Sequence, residues 1–239
     1  IDKDRQAKIY TGEEIEQCQV CNHKLLNLNT YRGYFNHQLF PDKIDEAFEK
    51  TNDDGYTEMK PISYDYRISN LCNFKCRMCG DQLSSSWESE RRQMKNWSPE
   101  GDPWMTPESR AKLQTFTKEV LEKELWQAVY EERIEEIYWV GGEPLMFQIH
   151  WDIMEHLVKT GQSKNVVVRY NTNLSRVSWK GINLYDLLKH FKHVNISASI
   201  DGTGPIVEYV RHGIKWDKWL QNFKDGLFLK DMYGDAGIV

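Results

Sequence analysis

At 239 residues the chain has room for one domain of moderate size, or one domain with a small appendage. Hydrophobic residues make up 40%, enough for a true core, and the net charge of −5 gives no electrostatic reason to expect nucleic acid or an anionic membrane as partner. No apolar run reaches membrane-spanning length and no N-terminal apolar stretch reads as an export signal, so neither membrane insertion nor export is expected and a cytoplasmic location is.

Residues 1–60 are polar, rich in Asn and Asp and weakly periodic, and they read as a small irregular N-terminal appendage. Within them Cys18 and Cys21 form a C-x2-C pair, Thr30, Arg32 and Asn36 follow, and 42–50 predicts a short helix. The run Thr-Asn-Asp-Asp-Gly at 51–55 predicts a turn or linker. From Pro61 the pattern changes. A strand over 62–69 leads into a loop with Cys72, Cys76 and Cys79, followed by a helix over 83–95, an irregular Trp- and Pro-containing segment over 96–107, and a long helix over 108–132. A strand over 136–140 ends in Gly141-Gly142-Glu143-Pro144 and precedes a helix over 148–160. A third strand, 165–171, ends in Thr172-Asn173 before a helix over 183–191; a fourth, 193–200, ends in Asp201-Gly202 before helices over 204–211 and 217–231.

Four strand–helix units predict an α/β protein with a parallel sheet and helical crossovers. Each motif falls where a strand gives way to a loop, the end of a parallel sheet or barrel at which ligands bind. Both ends of the chain read as cut within this architecture, so a fragment with an incomplete barrel is expected, divided into 1–60 and 61–239.

The five cysteines fall in two tight groups, which reads as metal ligation in a reducing compartment rather than as a disulfide framework. Cys72, Cys76 and Cys79 have the spacing C-x3-C-x2-C, and three soft thiolates on one loop suit an iron–sulfur cluster with one open position. The plainer reading is a zinc site completed by Cys18, Cys21 or a histidine. Gly141 and Gly142 allow close backbone approach and leave N–H groups for a ligand's polar ends, although Gly-Gly-Glu-Pro alone is also an ordinary turn. Asn171 and Asn173 suit a turn as well as a ligand. Ser197, Ser199 and Asp201 alternate along the fourth strand and so share a face; Arg211 reads either as a ligand group or as an exposed helix-end ion pair. Trp126, Trp139 and Trp151 read as core, whereas Trp87, Trp97 and Trp104 cluster where a substrate entrance could form.

On this ordered set of motifs, from about Cys18 to Arg211, the chain resembles the radical S-adenosylmethionine (radical SAM) enzymes, whose C-x3-C-x-aromatic-C motif follows the first strand of a partial TIM-like (β/α)6 barrel. The resemblance implies a [4Fe–4S] cluster on Cys72, Cys76 and Cys79, with the open iron chelating the methionine part of S-adenosylmethionine. It further implies one-electron cleavage of the sulfonium to a 5′-deoxyadenosyl radical. Met78 stands where an aromatic residue is usual, but a backbone contact to adenine does not depend on that side chain. Gly141, Gly142 and Glu143 would meet the methionine amino group; Asn173, Ser199 and Asp201 would face the cofactor, and Arg211 its carboxylate. Cys18 and Cys21, with Thr30, Arg32 and Asn36, resemble the segment of relatives with a twitch or SPASM-like auxiliary domain, implying an auxiliary iron–sulfur site and a peptide or protein substrate. A reductant such as flavodoxin or ferredoxin is implied as partner. Two rival classes, a zinc-binding interaction module and an iron–sulfur electron carrier, explain the cysteines but not why Gly-Gly-Glu-Pro and Ser-Ile-Asp-Gly recur at successive strand ends.

Overall fold

The structure is a computed structural model that describes residues 33–237. Cys18, Cys21, Thr30 and Arg32 lie outside the described residues. The chain separates into two compact units, Ile1–Lys60 and Pro61–Val239. In the first, a π-helical turn at Phe35–Leu39 and a 3-10 turn at Pro41–Lys43 lead into helix α1, Ile44–Glu49, and Thr51 then bridges antiparallel to Thr57.

The second unit is built on four parallel strands, β1 (Ser63–Tyr66), β3 (Glu136–Trp139), β4 (Val167–Thr172) and β7 (His193–Ala198), hydrogen-bonded in that order. Between and after them lie a two-residue strand β2 (Lys75–Cys76), a hairpin of β5 (Ser178–Trp179) with β6 (Ile182–Asn183), and β8 (Arg211–His212), which pairs with β2. The helices are α2 (Ser85–Gln93), α3 (Pro107–Phe116), α4 (Lys123–Tyr130), α5 (Gln148–Thr160), α6 (Leu184–Leu188), α7 (Gly204–Val210), α8 (Trp216–Gly226) and α9 (Phe228–Tyr233). The expected α/β class, a parallel sheet with helical crossovers of the partial TIM-like kind, is what the fold shows; among the described residues the sheet does not close into a barrel.

Local chemistry explains the element starts. Ser84 caps α2 by accepting from the Trp87 N–H, Thr106 caps α3 from Ser109 with Pro107 at the first helical position, and Asn183 caps α6 from Tyr185. The strands alternate. Val168 and Tyr170 of β4 and Val194, Ile196 and Ala198 of β7 are buried, and they share one core with Leu125, Trp151, Met154, Leu157 and Leu188 from the helices. Parallel strands covered on both faces are apolar throughout, so this alternation marks a second face that is polar. On it Ser63 donates to Glu136, Arg169 pairs with Glu136 at 3.1 Å, and the Arg169 guanidinium lies 4.6 Å from the Tyr138 ring centre.

Three elements differ from expectation, the first being the helix expected over 217–231, which is two helices, α8 and α9. The helix expected over 108–132 is broken by a π-helical segment, Thr117–Glu122, inside which the Thr117 hydroxyl donates to Ile68 O at 3.4 Å; no Gly or Pro announces the break. The first strand ends at Tyr66, because residues 69–71 leave the sheet to bond with the loop after β3.

His150 sits fully buried between Trp139, Trp151 and Tyr170, its Nε2 2.8 Å from the Tyr170 hydroxyl. Burial pushes it down from the ordinary 6.5 to about 3. A lowered histidine stabilises the fold above the unfolded value and loses that stability as pH falls from 6.5 toward 3, because only the unfolded chain takes up the proton. His150→Gln, which keeps a partner for Tyr170 but cannot titrate, should therefore remove about 2 kcal/mol of the stability difference between pH 7 and pH 5. Urea midpoints of both proteins at the two pH values check this.

Candidate functional site

The loop between β1 and α2 holds Cys72, Cys76 and Cys79, all free thiols, with Cys76 buried and the other two half-buried. Its shape is set from three directions. From below, the start of α2 collects its carbonyls. The Ser84 hydroxyl donates to Phe74 O at 2.6 Å, the Ser86 hydroxyl to Cys72 O at 2.8 Å, and Trp87 Nε1 to Cys76 O at 2.9 Å. Trp87 thus braces the cysteine loop. Of the three clustered tryptophans it is Trp104 that lines a cleft.

From the side, the Gly142 and Glu143 N–H groups donate to Ser69 O at 2.9 Å and Leu71 O at 2.7 Å. This corrects half of one expectation: of the two glycine N–H groups expected to be left for a ligand, that of Gly142 is engaged within the protein. Gly142 is glycine because of this contact, since a Cβ there would lie 2.6 Å from the Asn70 carbonyl carbon. The Glu143 carboxylate turns inward as well, 1% exposed, accepting from the Thr172 hydroxyl at 2.6 Å, the Asn173 N–H at 2.7 Å and the Leu145 N–H at 3.2 Å. Burial pushes this carboxyl up to about 7 against the pull of the three donors. Glu143 therefore bolts the end of β3 to the end of β4.

From above come Asn173 and Arg211. Asn173, 7% exposed, places Nδ2 3.8 Å from Cys72 Sγ and 3.1 Å from Asn73 Oδ1. Arg211 stands opposite Cys76 in the β2–β8 ladder, with Nη1 3.9 Å from Cys76 Sγ. It caps the C-terminal end of α7 and opens β8, and its side chain is 14% exposed, so the helix-end ion pair is present but Arg211 itself is largely shielded rather than exposed. Its Nε lies 2.5 Å from Asp201 Oδ2 but makes no hydrogen bond of good angle, so charge rather than direction holds that pair. Ser199 and Asp201 lie past the end of β7, which stops at Ala198, so the shared strand face reaches only to Ser197. The Ser199 N–H donates to Thr172 O at 2.8 Å. Met78 is 53% exposed at the rim of the loop.

The donor set suits a multi-iron group. Burial raises the Cys72 thiol and pushes Cys76 up to about 11, with Arg211 opposing, so metal binding would displace protons from them. Thiolates sharing one tetrahedral ion would sit roughly 3.8 Å apart. Among the described residues no three His, Cys, Asp or Glu side chains are already gathered closely enough to hold a metal ion.

Beside the root of the loop lies a cleft of about 1380 Å³, bounded by residues 69–71, Gly141, Gly142, α3 and the start of α5. Trp104, Phe116, Trp126 and Phe147 supply apolar walls, Arg67, Arg110 and Lys118 positive charge, and Glu122 and Asp152 negative charge. Trp126, expected in the core, is only partly buried and faces this cleft.

A parallel sheet with a three-thiol loop at the carboxyl end of its first strand, overlaid by side chains from the ends of two later segments, defines a ligand-binding α/β protein of one kind. The sequence matches the description Radical SAM superfamily over residues 66–225, about two thirds of the chain. The chain belongs to that family and is a radical SAM enzyme, a class that cleaves S-adenosylmethionine to start radical chemistry. No curated protein and no solved structure matches it. Among the described residues no helix is long and apolar enough to cross a membrane.

Sequence reasoning missed Thr172, Ser84, Ser86 and Trp87 as parts of the site. The serine run ahead of α2 was a visible cap signal, but its second use, on the cysteine loop's carbonyls, has no local signature.

Proposed function

We propose that the enzyme works through a [4Fe–4S] cluster held by Cys72, Cys76 and Cys79 and binds S-adenosylmethionine on the same rim. The observation that carries this reading is one loop of three free thiols approached at two of its sulfurs by Asn173 and Arg211, from the ends of β4 and β8. When bound, the cluster supplies the single electron that breaks the cofactor's sulfonium bond. Asn173, Ser199, Asp201, Arg211, Gly141 and the Met78 backbone surround the cofactor, while Gly142 and Glu143 act by holding the loop and the β4 end in place. Burial shields the Cys76 thiolate from water more than those of the half-buried Cys72 and Cys79.

The cleft beside the loop root receives the substrate. Its mix of aromatic walls with both basic and acidic groups suits a peptide or protein segment that carries apolar side chains. Cys18 and Cys21 belong to an auxiliary iron–sulfur site of a twitch or SPASM-like segment within 1–60, ahead of a radical SAM core over 61–239. A flavodoxin or ferredoxin of the cytoplasm supplies the electron.

Low-temperature EPR of anaerobically reconstituted, reduced protein tests the central reading. A [4Fe–4S]⁺ signal that changes on adding S-adenosylmethionine is expected. Cys76→Ala should abolish the signal and bring methionine release from S-adenosylmethionine to background; cleavage left intact in that variant would sink the proposal.

A further inference from the structure

We infer that Arg211 and Asp201 act as an opposed pair that sets the reduction potential of the cluster through Cys76, an assignment that rests on the cluster reading above. Main chain, not only a long side chain, fixes Arg211. Cys76 and Arg211 are partners in the antiparallel β2–β8 ladder, and the Arg77 N–H donates to Val210 O at 2.9 Å. The Arg77 guanidinium lies 3.8 Å from the Tyr209 ring centre and its Nε donates to Tyr209 O at 3.3 Å, which closes the other side of the ladder. Just beyond, Gly213 at φ +114° packs so near Phe74 that a Cβ would lie 2.8 Å from its ring. A segment more than a hundred residues downstream is thereby locked to the middle cysteine.

The consequence is electrostatic. A full positive charge stands 3.9 Å from Cys76 Sγ, at a residue only 5% exposed, whereas Cys72 receives neutral donors, the Phe74 N–H at 3.5 Å and Asn173 Nδ2 at 3.8 Å. Reduction adds one electron to the cluster, so a nearby cation stabilises the reduced form more than the oxidised one and raises the potential. The Asp201 carboxylate, 2.5 Å from Arg211 Nε, subtracts from that effect. The two residues therefore pull in opposite directions, which a merely structural role for either would not produce.

The test is potentiometry at fixed pH, without S-adenosylmethionine, on anaerobically reconstituted protein, with dithionite as electron source and the EPR signal as readout. Iron per chain is measured first. Arg211→Gln should shift the midpoint to a more negative value, Asp201→Asn to a less negative one, and Arg211→Lys should fall between wild type and Arg211→Gln, because it keeps the charge and loses the planar fork. Asp201, with its side chain 39% exposed, tolerates the isosteric change, so at least one arm of the comparison is insensitive to folding defects. Shifts of the same sign, or no shift with iron content unchanged, overturn the inference and leave the cluster reading standing. A wild-type protein that takes up no iron overturns both.

Discussion

Gly142→Ala is expected to lower stability by about 3 kcal/mol and to cut iron uptake well below the wild-type value, although position 142 itself touches no thiol. The added methyl would meet backbone atoms of Asn70 and Leu71, with the Asn70 carbonyl carbon at 2.6 Å, and backbone cannot swing aside as a side chain can. The segment must move as a whole. It is hydrogen-bonded to the same turn through Ser69 O and Leu71 O, so relief of the clash breaks bonds at 2.9 and 2.7 Å. Leu71 is the residue before Cys72, and the displacement passes directly to the first ligand. Urea unfolding and iron analysis after anaerobic reconstitution check the two halves. Wild-type iron content in a destabilised variant would show that the loop keeps its shape without this contact.

Glu143→Ala should be worse for folding, at least about 3 kcal/mol at pH 6, because it strands three buried donors at once: the Thr172 hydroxyl and the N–H groups of Asn173 and Leu145. The penalty should also depend on pH. With the folded carboxyl pushed up to about 7 from an ordinary 4.5, its contribution is complete below pH 4.5 and is lost as pH rises through 7. The wild-type advantage over Glu143→Ala should accordingly shrink by about 1 kcal/mol between pH 6 and pH 8. A penalty that stays constant over that interval would mean the carboxyl is already ionised in the fold at pH 6. His150 acts with the opposite sign, so between pH 4.5 and 6.5 the two groups largely offset each other in the wild type, and only the single variants separate them.

By itself the sequence determined the class of fold and the address of the chemistry. Strand–helix alternation with a cysteine loop, Gly-Gly-Glu-Pro, Thr-Asn and Ser-Ile-Asp-Gly at four successive strand ends is a local pattern, because period and turn chemistry are local properties. Helix α5, expected over 148–160, occupies Gln148–Thr160 for that reason. What each motif residue does was decided by tertiary structure. Nothing near position 143 reveals that its carboxylate faces Thr172 and Asn173 rather than a ligand, or that Trp87 reaches the Cys76 carbonyl. The β2–β8 ladder is two residues long, too short for any periodicity, and its partners are separated by 135 positions. Hydrogen-bond donors and charges act over a few ångströms in space without regard to that separation, so the pairing of Arg211 with Cys76 and Asp201 exists only once the chain has folded.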